Sequence, residues 1–253
     1  MLKDKRNYVN SNLYKLDSRL LESLRADFRL RFSHETTKIE GSTLTYGESK
    51  TILENGFVAT GKSFREHMEL VNSDYAFNYI QNYSGDITED FIKDIHEILM
   101  TRIFSGGIYR DVNVIISGAR TTPPPWYNVR EEMKFFIDDY NKNKNNMDTI
   151  ELAAWVHAEF VRIHPFSDGN GRTARLLLNY ILISDGYLPV SIRPEDSASY
   201  YDALDVYGVD RNIKPFAEFI QSLENARLDI YIAQIKDVDF VSKMNIVKNE
   251  ISK

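Results

Sequence analysis

The chain has 253 residues, 43% of them hydrophobic and 27% charged, with a net charge of −6 and no cysteine. That balance belongs to a globular protein long enough to bury a sizeable core, as one large domain or one domain with small appendages. The missing cysteines exclude disulfides, thiolate nucleophiles and zinc–thiolate sites, and the acidic balance gives no reason to expect a nucleic-acid partner.

The opening MLKDKRNYVNSNLY has no apolar core of signal-peptide type, and no run approaches the roughly 20 apolar residues of a membrane helix. No membrane association and a cytoplasmic location are the default expectations. Residues 12–32 set Leu13, Leu16, Leu20, Leu21, Leu24 and Phe28 at steps of three and four, a helical stripe. Similar stripes run over residues 46–55, 63–83, 88–103, 130–140 and 149–163. Residues 110–127 differ. Val112, Val114, Ile115 and Ile116 are followed by Gly118 and by Pro123, Pro124 and Pro125, so a β-hairpin over 110–122 and a rigid proline turn are expected. The polar run at 141–146 reads as a loop between helices. Residues 170–185 are apolar nearly all round, as in a helix buried at the centre of a fold. Two more helices are expected over 195–207 and 213–235, and the stretch to Lys253 reads as helix or frayed tail. The sum is an all-α fold with a small β-hairpin flap. Residues 1–105 supply N-terminal helices, 106–235 a catalytic core and 236–253 a tail, in one compact unit.

Residues 56–63, GFVATGKS, match the phosphate-loop pattern G-x-x-x-x-G-K-[ST]. The chemistry of that loop needs a buried strand before it and a metal-binding Asp on a partner strand. The preceding YGESKTILEN is polar and helical in period, so the segment reads as a connection between two helices, turned by Gly56 and Gly61.

Chemistry concentrates in HPFSDGNGRTAR, residues 164–175. Pro165 breaks the helix that reaches His164. Gly169 and Gly171 let the backbone turn and approach a ligand closely. The helix that starts near Asn170 presents free N–H groups and its positive dipole end, a nest for anions. Arg172 and Arg175, three residues apart, add two guanidiniums near that nest, a set that suits a polyphosphate. Asp168 at the loop apex can hold Mg²⁺ beside phosphate. His164 at the rim titrates in the range a general base needs. His157 reads as packed within its helix, and His34, His67 and His96 carry no partner pattern.

This segment resembles the Fic family signature H-x-F-x-[DE]-G-N-G-R-x-x-R at every fixed position. Gly107-x-Tyr109-Arg110, the prolines at 123–125 and GKSFREHMELVN are also similar to family members, so the likeness spans roughly residues 12–235. The resemblance implies the Fic fold and transfer of AMP from ATP, with Mg²⁺, to a Tyr, Thr or Ser hydroxyl of a target protein, the chain itself included. It implies that His164 deprotonates the target hydroxyl and that Asp168 binds Mg²⁺ bridging the α- and β-phosphates. Gly169, Asn170 and Gly171 would form the anion hole, Arg172 would neutralise the leaving pyrophosphate, and Arg175 would grip the γ-phosphate.

TTKIEG, residues 36–41, resembles the family's inhibitory motif [ST]-x-x-x-E-[GN]. Thr36 and Glu40 lie one helical turn apart and share a face, and Gly41 can end the helix in a left-handed cap. The resemblance implies that Glu40 pairs with Arg175 and withholds it from the γ-phosphate. It also implies that Ile116, Tyr201 and Leu204 border the nucleoside, and that copies of the chain self-associate. Where some relatives place an Asn against adenine, this chain has Gly208, which leaves a strict preference for ATP open. Alternatives on the same fold are Glu40-dependent removal of AMP, and transfer of phosphate, UMP or phosphocholine. A nucleotide-sensing module without catalysis is a further one, although binding alone needs no base at the rim.

Overall fold

The computed structural model describes residues 2–57 and 59–251. Val58, inside the phosphate-loop-like segment, and Ser252 and Lys253 of the expected tail lie outside the described residues. Among the described residues the chain folds as ten α-helices: α1 (Leu2–Asn12), α2 (Ser18–Ile39), α3 (Tyr46–Asn55), α4 (Phe64–Asn82), α5 (Glu89–Met100), α6 (Val129–Asn143), α7 (Thr149–Ile163), α8 (Asn170–Ser184), α9 (Ser197–Asp210) and α10 (Lys214–Ile251). No described helix is long and apolar enough to cross a membrane.

Helix α8 is the axis. It packs against α2, α4, α5 and α7, and twelve of its fifteen residues are buried, as its all-round apolar sequence requires. The surrounding core is rich in aromatic rings: Phe28, Phe32, Phe77, Phe91, Phe136, Phe160 and Phe166 are all buried. One polar side chain that enters this core is fully used. Asn179 on α8 donates to the Val190 carbonyl at 3.0 Å and accepts from the Val190 N–H at 2.7 Å, which ties the chain leading to α9 against α8.

Helix starts and stops follow local chemistry. Thr45 with Glu48, and Ser63 with Glu66, form reciprocal capping boxes at the heads of α3 and α4. Gly56 closes α3 in a left-handed conformation at φ 71°. Lys62 donates to the Thr43 carbonyl at 2.9 Å. Gly56, Lys62 and Ser63 therefore serve a helix-to-helix connection, and no strand precedes them.

Two segments depart from the sequence expectation. Helix α1 has too few apolar residues to show a stripe, and it forms because it docks on α10. Val9 and Leu16 pack with Leu228, Tyr231 and Ile235, while Lys5 reaches Asn225 at 2.7 Å and Asp229 at 2.6 Å. The expected β-hairpin over 110–122 is corrected: no strand occurs among the described residues, and this stretch is an irregular loop. The reason is a competition for backbone carbonyls. The buried Arg110 guanidinium donates to the carbonyls of Val112 at 2.9 Å, His164 at 2.8 Å and Pro124 at 2.5 Å. The Arg110 N–H also goes to the Pro165 carbonyl at 2.9 Å, so a donor and an acceptor at the start of the stretch, Arg110 N–H and Val112 C=O, are withdrawn from any ladder.

Asn179→Leu would strand the Val190 N–H and carbonyl in the core. The expected loss is about 1–3 kcal/mol of stability, measured by urea denaturation. An unchanged midpoint would show that the Val190 segment is not held this way.

Candidate active site

Helices α7 and α8 meet at the loop 164–169. His164 caps α7 in a left-handed conformation, φ 50° and ψ 59°, unusual for a residue with a side chain. Gly169 repeats the left-handed conformation at φ 78° before α8, and a Cβ there would collide with Met100 and crowd His96. Asn170 stitches the loop shut: its side chain accepts from the Phe166 N–H at 2.9 Å and donates to the Phe166 carbonyl at 2.8 Å. The first amides of α8 are thereby held facing one side with no side-chain cap.

His96, on α5, is a positioning residue that the sequence pattern did not disclose. Its Nδ1 accepts from the Gly107 N–H at 2.9 Å. Nε2 therefore carries the ring proton, and it lies 2.9 Å from the Asp168 carbonyl, to which it donates. The ring stacks on Phe166 with centroids 3.6 Å apart. Burial pushes the His96 pKa down to about 4. This neutral ring joins the start of the 107–125 loop to the apex of the 164–169 loop.

On one side of the apex the charges alternate. Asp168 pairs with Arg65 at the head of α4 and, at 3.4 Å, with Arg172. Glu69, one turn beyond Arg65, receives Arg65 Nε at 2.9 Å and stands 3.7 Å from Arg172. Burial alone would raise the Asp168 pKa, but Arg172, the Gly169 N–H and Arg65 outweigh it and hold the carboxylate below its usual range. Arg172 is only 2% exposed, and its Nε and Nη1 have no hydrogen-bond partner. Arg65 and Glu69 were invisible to the sequence reading, since nothing local links residue 65 to residue 168.

On the other side lies a cavity of about 280 Å³. Glu40, His164, Gly171 and Arg175 line it together with Ile116, Tyr201, Leu204 and Gly208. The predicted site residues thus divide. His164, Gly171, Arg175 and the three nucleoside-pocket residues share the cavity, while Asp168 and Arg172 face α4. His164 Nδ1 lies 3.3 Å from the Val161 carbonyl, so Nδ1 carries the proton and Nε2 is the basic nitrogen. Burial lowers the pKa of His164, which favours the neutral ring a base requires.

Arg175 is held by the end of α2. Its Nε donates to Thr36 Oγ1 at 2.7 Å, and its Nη2 donates to the Thr36 carbonyl at 3.0 Å and to Glu40 Oε1 at 2.6 Å. Gly41 follows at φ 98° and turns the chain away. The Glu40 carboxylate also leans over the first turn of α8, where a Cβ on Gly171 would strike it.

No group of three or more His, Asp or Glu arranged to hold a metal ion occurs among the described residues. One ionised carboxylate, Asp168, fits the Mg²⁺ mode in which substrate phosphates and water complete the shell. It does not fit an all-protein cage.

His96→Phe keeps the ring stack and removes both hydrogen bonds. The folded pKa of His96 lies below its unfolded value near 6.5, so its contribution to stability is full above pH 6.5 and lost as pH falls towards 4. Denaturation between those limits should show a flatter pH dependence for His96→Phe than for the wild type. Parallel curves would rule out the neutral bridging ring.

Residues 86–182 match the Fic/DOC family. The chain is 35% identical over 230 residues to protein adenylyltransferase fic-1 of Caenorhabditis elegans, covering 88% of this chain and 44% of that protein. It is 34% identical over 239 residues to protein adenylyltransferase Fic of Nematostella vectensis, covering 91% and 55%. The chain spans about half the length of these curated relatives. A solved fragment of Caenorhabditis elegans Fic-1 superposes with a TM-score of 0.83 at 33% identity, covering 93% of this chain and 71% of that one. A Fic-domain signaling protein from Bacteroides thetaiotaomicron gives 0.83 at 26% identity, covering 93% and 96%. Likeness of this extent, in sequence and in fold, joined to the signature at 164–175, places the chain in the Fic/DOC family.

Proposed function

We propose that this chain is a protein adenylyltransferase, held back by Glu40. One observation carries the reading. The basic nitrogen of His164, the first turn of α8 at Gly171 and the Arg175 guanidinium open on the same cavity, and that cavity continues between Ile116, Tyr201 and Leu204. A nucleoside fits the apolar part, and its phosphates fit the charged end.

In the proposed reaction His164 Nε2 takes the proton of a Tyr, Thr or Ser hydroxyl of a target protein, this chain included, as the oxygen attacks the α-phosphorus of ATP. The new O–P bond forms as the bond to the β-phosphate oxygen breaks, and pyrophosphate leaves with its electron pair. The amides of Asn170 and Gly171 and the Arg172 guanidinium stabilise the charge that moves onto the leaving group, and the Gly169 N–H, which donates to Asp168 Oδ1 at 2.6 Å in this structure, joins them once that carboxylate turns to the metal. Arg175 holds the γ-phosphate and thereby sets the line of attack. Asp168 would hold Mg²⁺, which would supply charge neutralisation at the phosphates when bound. Arg65 occupies that carboxylate in this structure and must release it.

Glu40 is the brake on two counts: it ties up Arg175, and it overhangs the first turn of α8. Its place on the cavity wall also supports a second activity, in which the carboxylate activates water to remove AMP from a modified hydroxyl. The loop that carries Ile116 turns Ile115 outward, 88% exposed, where a target segment can lie against it.

The test is transfer from ATP labelled at the α-phosphate, with Mg²⁺. Releasing one charge-assisted bond predicts label in Glu40→Gly at least about tenfold above wild type. Adding His164→Ala should lower that by about 10²–10⁴-fold, the worth of a general base. Transfer of γ-label instead would make the chain a phosphotransferase. Equal labelling of wild type and Glu40→Gly would remove Glu40 from the mechanism.

A further inference from the structure

Behind Arg175, away from Glu40, runs a buried polar chain that none of the roles above uses. Arg175 Nη1 donates to the Tyr200 hydroxyl at 3.4 Å, and that hydroxyl lies 3.1 Å from His157 Nε2. Tyr200 and His157 are both buried, and His157 has no exposed surface. His157 sits on α7 two turns before His164, so one helix carries both residues.

Hydrogen-bond accounting gives the chain a direction. A guanidinium has five N–H donors. Four are committed: two on Thr36, one on Glu40 and one on Tyr200. The guanidinium leaves the Tyr200 oxygen no part but acceptor, and the one proton of Tyr200 must go to His157. Burial and Arg175 push the His157 pKa well down, so the ring is neutral and can accept at Nε2. Its remaining N–H, on Nδ1, then has no partner. A ring kept only for packing beside Phe216, 4.9 Å away, would not need that orphaned donor; Phe would fill the space without it.

We infer that Tyr200 and His157 are positioning residues for Arg175, a rear anchor that keeps its free N–H groups aimed into the cavity once Glu40 withdraws. The 3.4 Å length of the Tyr200 contact fits this reading, because Glu40 draws the far side of the guanidinium to 2.6 Å. Removing Glu40 lets the guanidinium settle back onto Tyr200. The inference rests on the nucleotide reading of the cavity. It adds that affinity for the outermost phosphate depends on α7 and α9, and not only on the release of α2.

The experiment uses the full chain with Glu40→Gly as parent, and compares Tyr200→Phe, His157→Phe and His157→Gln. Affinities for ATP and for AMP are measured by titration calorimetry, and melting temperatures alongside. Tyr200→Phe and His157→Phe should weaken ATP about tenfold, the worth of one bond to a charged group, and leave AMP unchanged. His157→Phe exchanges one orphaned donor, the Nδ1–H, for another, the Tyr200 O–H, so its melting temperature should stay close to the parent's. His157→Gln, whose amide oxygen can accept from Tyr200, should restore ATP affinity. ATP and AMP weakening together, or a lower melting temperature with unchanged ATP affinity, would reduce the pair to ordinary core residues and overturn the anchor. If the parent bound neither nucleotide, the cavity reading itself would fall, and the anchor with it.

Discussion

A buried guanidinium must be surrounded by acceptors, and Arg175 is the one on which this structure turns. Only 3% exposed, it would be strongly destabilising if left bare. The fold answers from two sides: Thr36 and the capping Glu40 at the end of α2, and Tyr200 from α9. The same residue sits one turn inside α8, so its partners fix where α2 ends relative to the central helix. The partners also divide by kind. Thr36 gives a hydroxyl and a carbonyl, which no nucleotide need displace. Glu40 gives a carboxylate, which a phosphate can replace bond for bond.

Much of this was legible in the sequence, for physical reasons that particular residues make plain. Residues 164–175 build their loop almost alone: Pro165 breaks one helix, Gly169 turns the chain, and Asn170 closes on Phe166 four residues away. When a site is made by neighbours in sequence, spacing carries most of its geometry. The helices were legible where one face is apolar, as in α3 and α7, or the whole surface is, as in α8, and their bounds fall within a residue of the expected ranges. Helix α1 was not, because its order is lent by α10.

What stayed hidden involves long loops of chain. His96 reaches Asp168 across 72 residues, and Arg65 across 103. His96 has no sequence pattern that would mark it, and the local partner of Arg65, Glu69 at i+4, is an ordinary helix-surface pair that says nothing of Asp168. The 110–122 segment misled for a related reason. Its β-branched run has strand propensity, but Arg110 takes the Val112 carbonyl and commits its own N–H to Pro165, and tertiary context overrides propensity in such places.

On the proposed function, the brake and the site share the same few groups, Glu40 and Arg175, and this would set how inhibition is lifted. Glu40 blocks no passage by bulk, since the cavity remains open beside it. It competes for hydrogen-bond donors. A competing anion that brings its own negative charge loses little in the exchange, because Arg175 trades one charge-assisted bond for another while keeping Thr36. The Glu40 carboxylate, a third of whose side chain is exposed, regains water as it leaves. The exchange is therefore close to balanced, and small changes at the end of α2 can tip it. Gly41 is where such a change would act. Its left-handed turn ends the segment directly after Glu40, while Leu44, 1% exposed and packed with Ile52 and Leu70, ties the residues that follow to a separate small core, so the end of α2 moves only as far as that anchor allows.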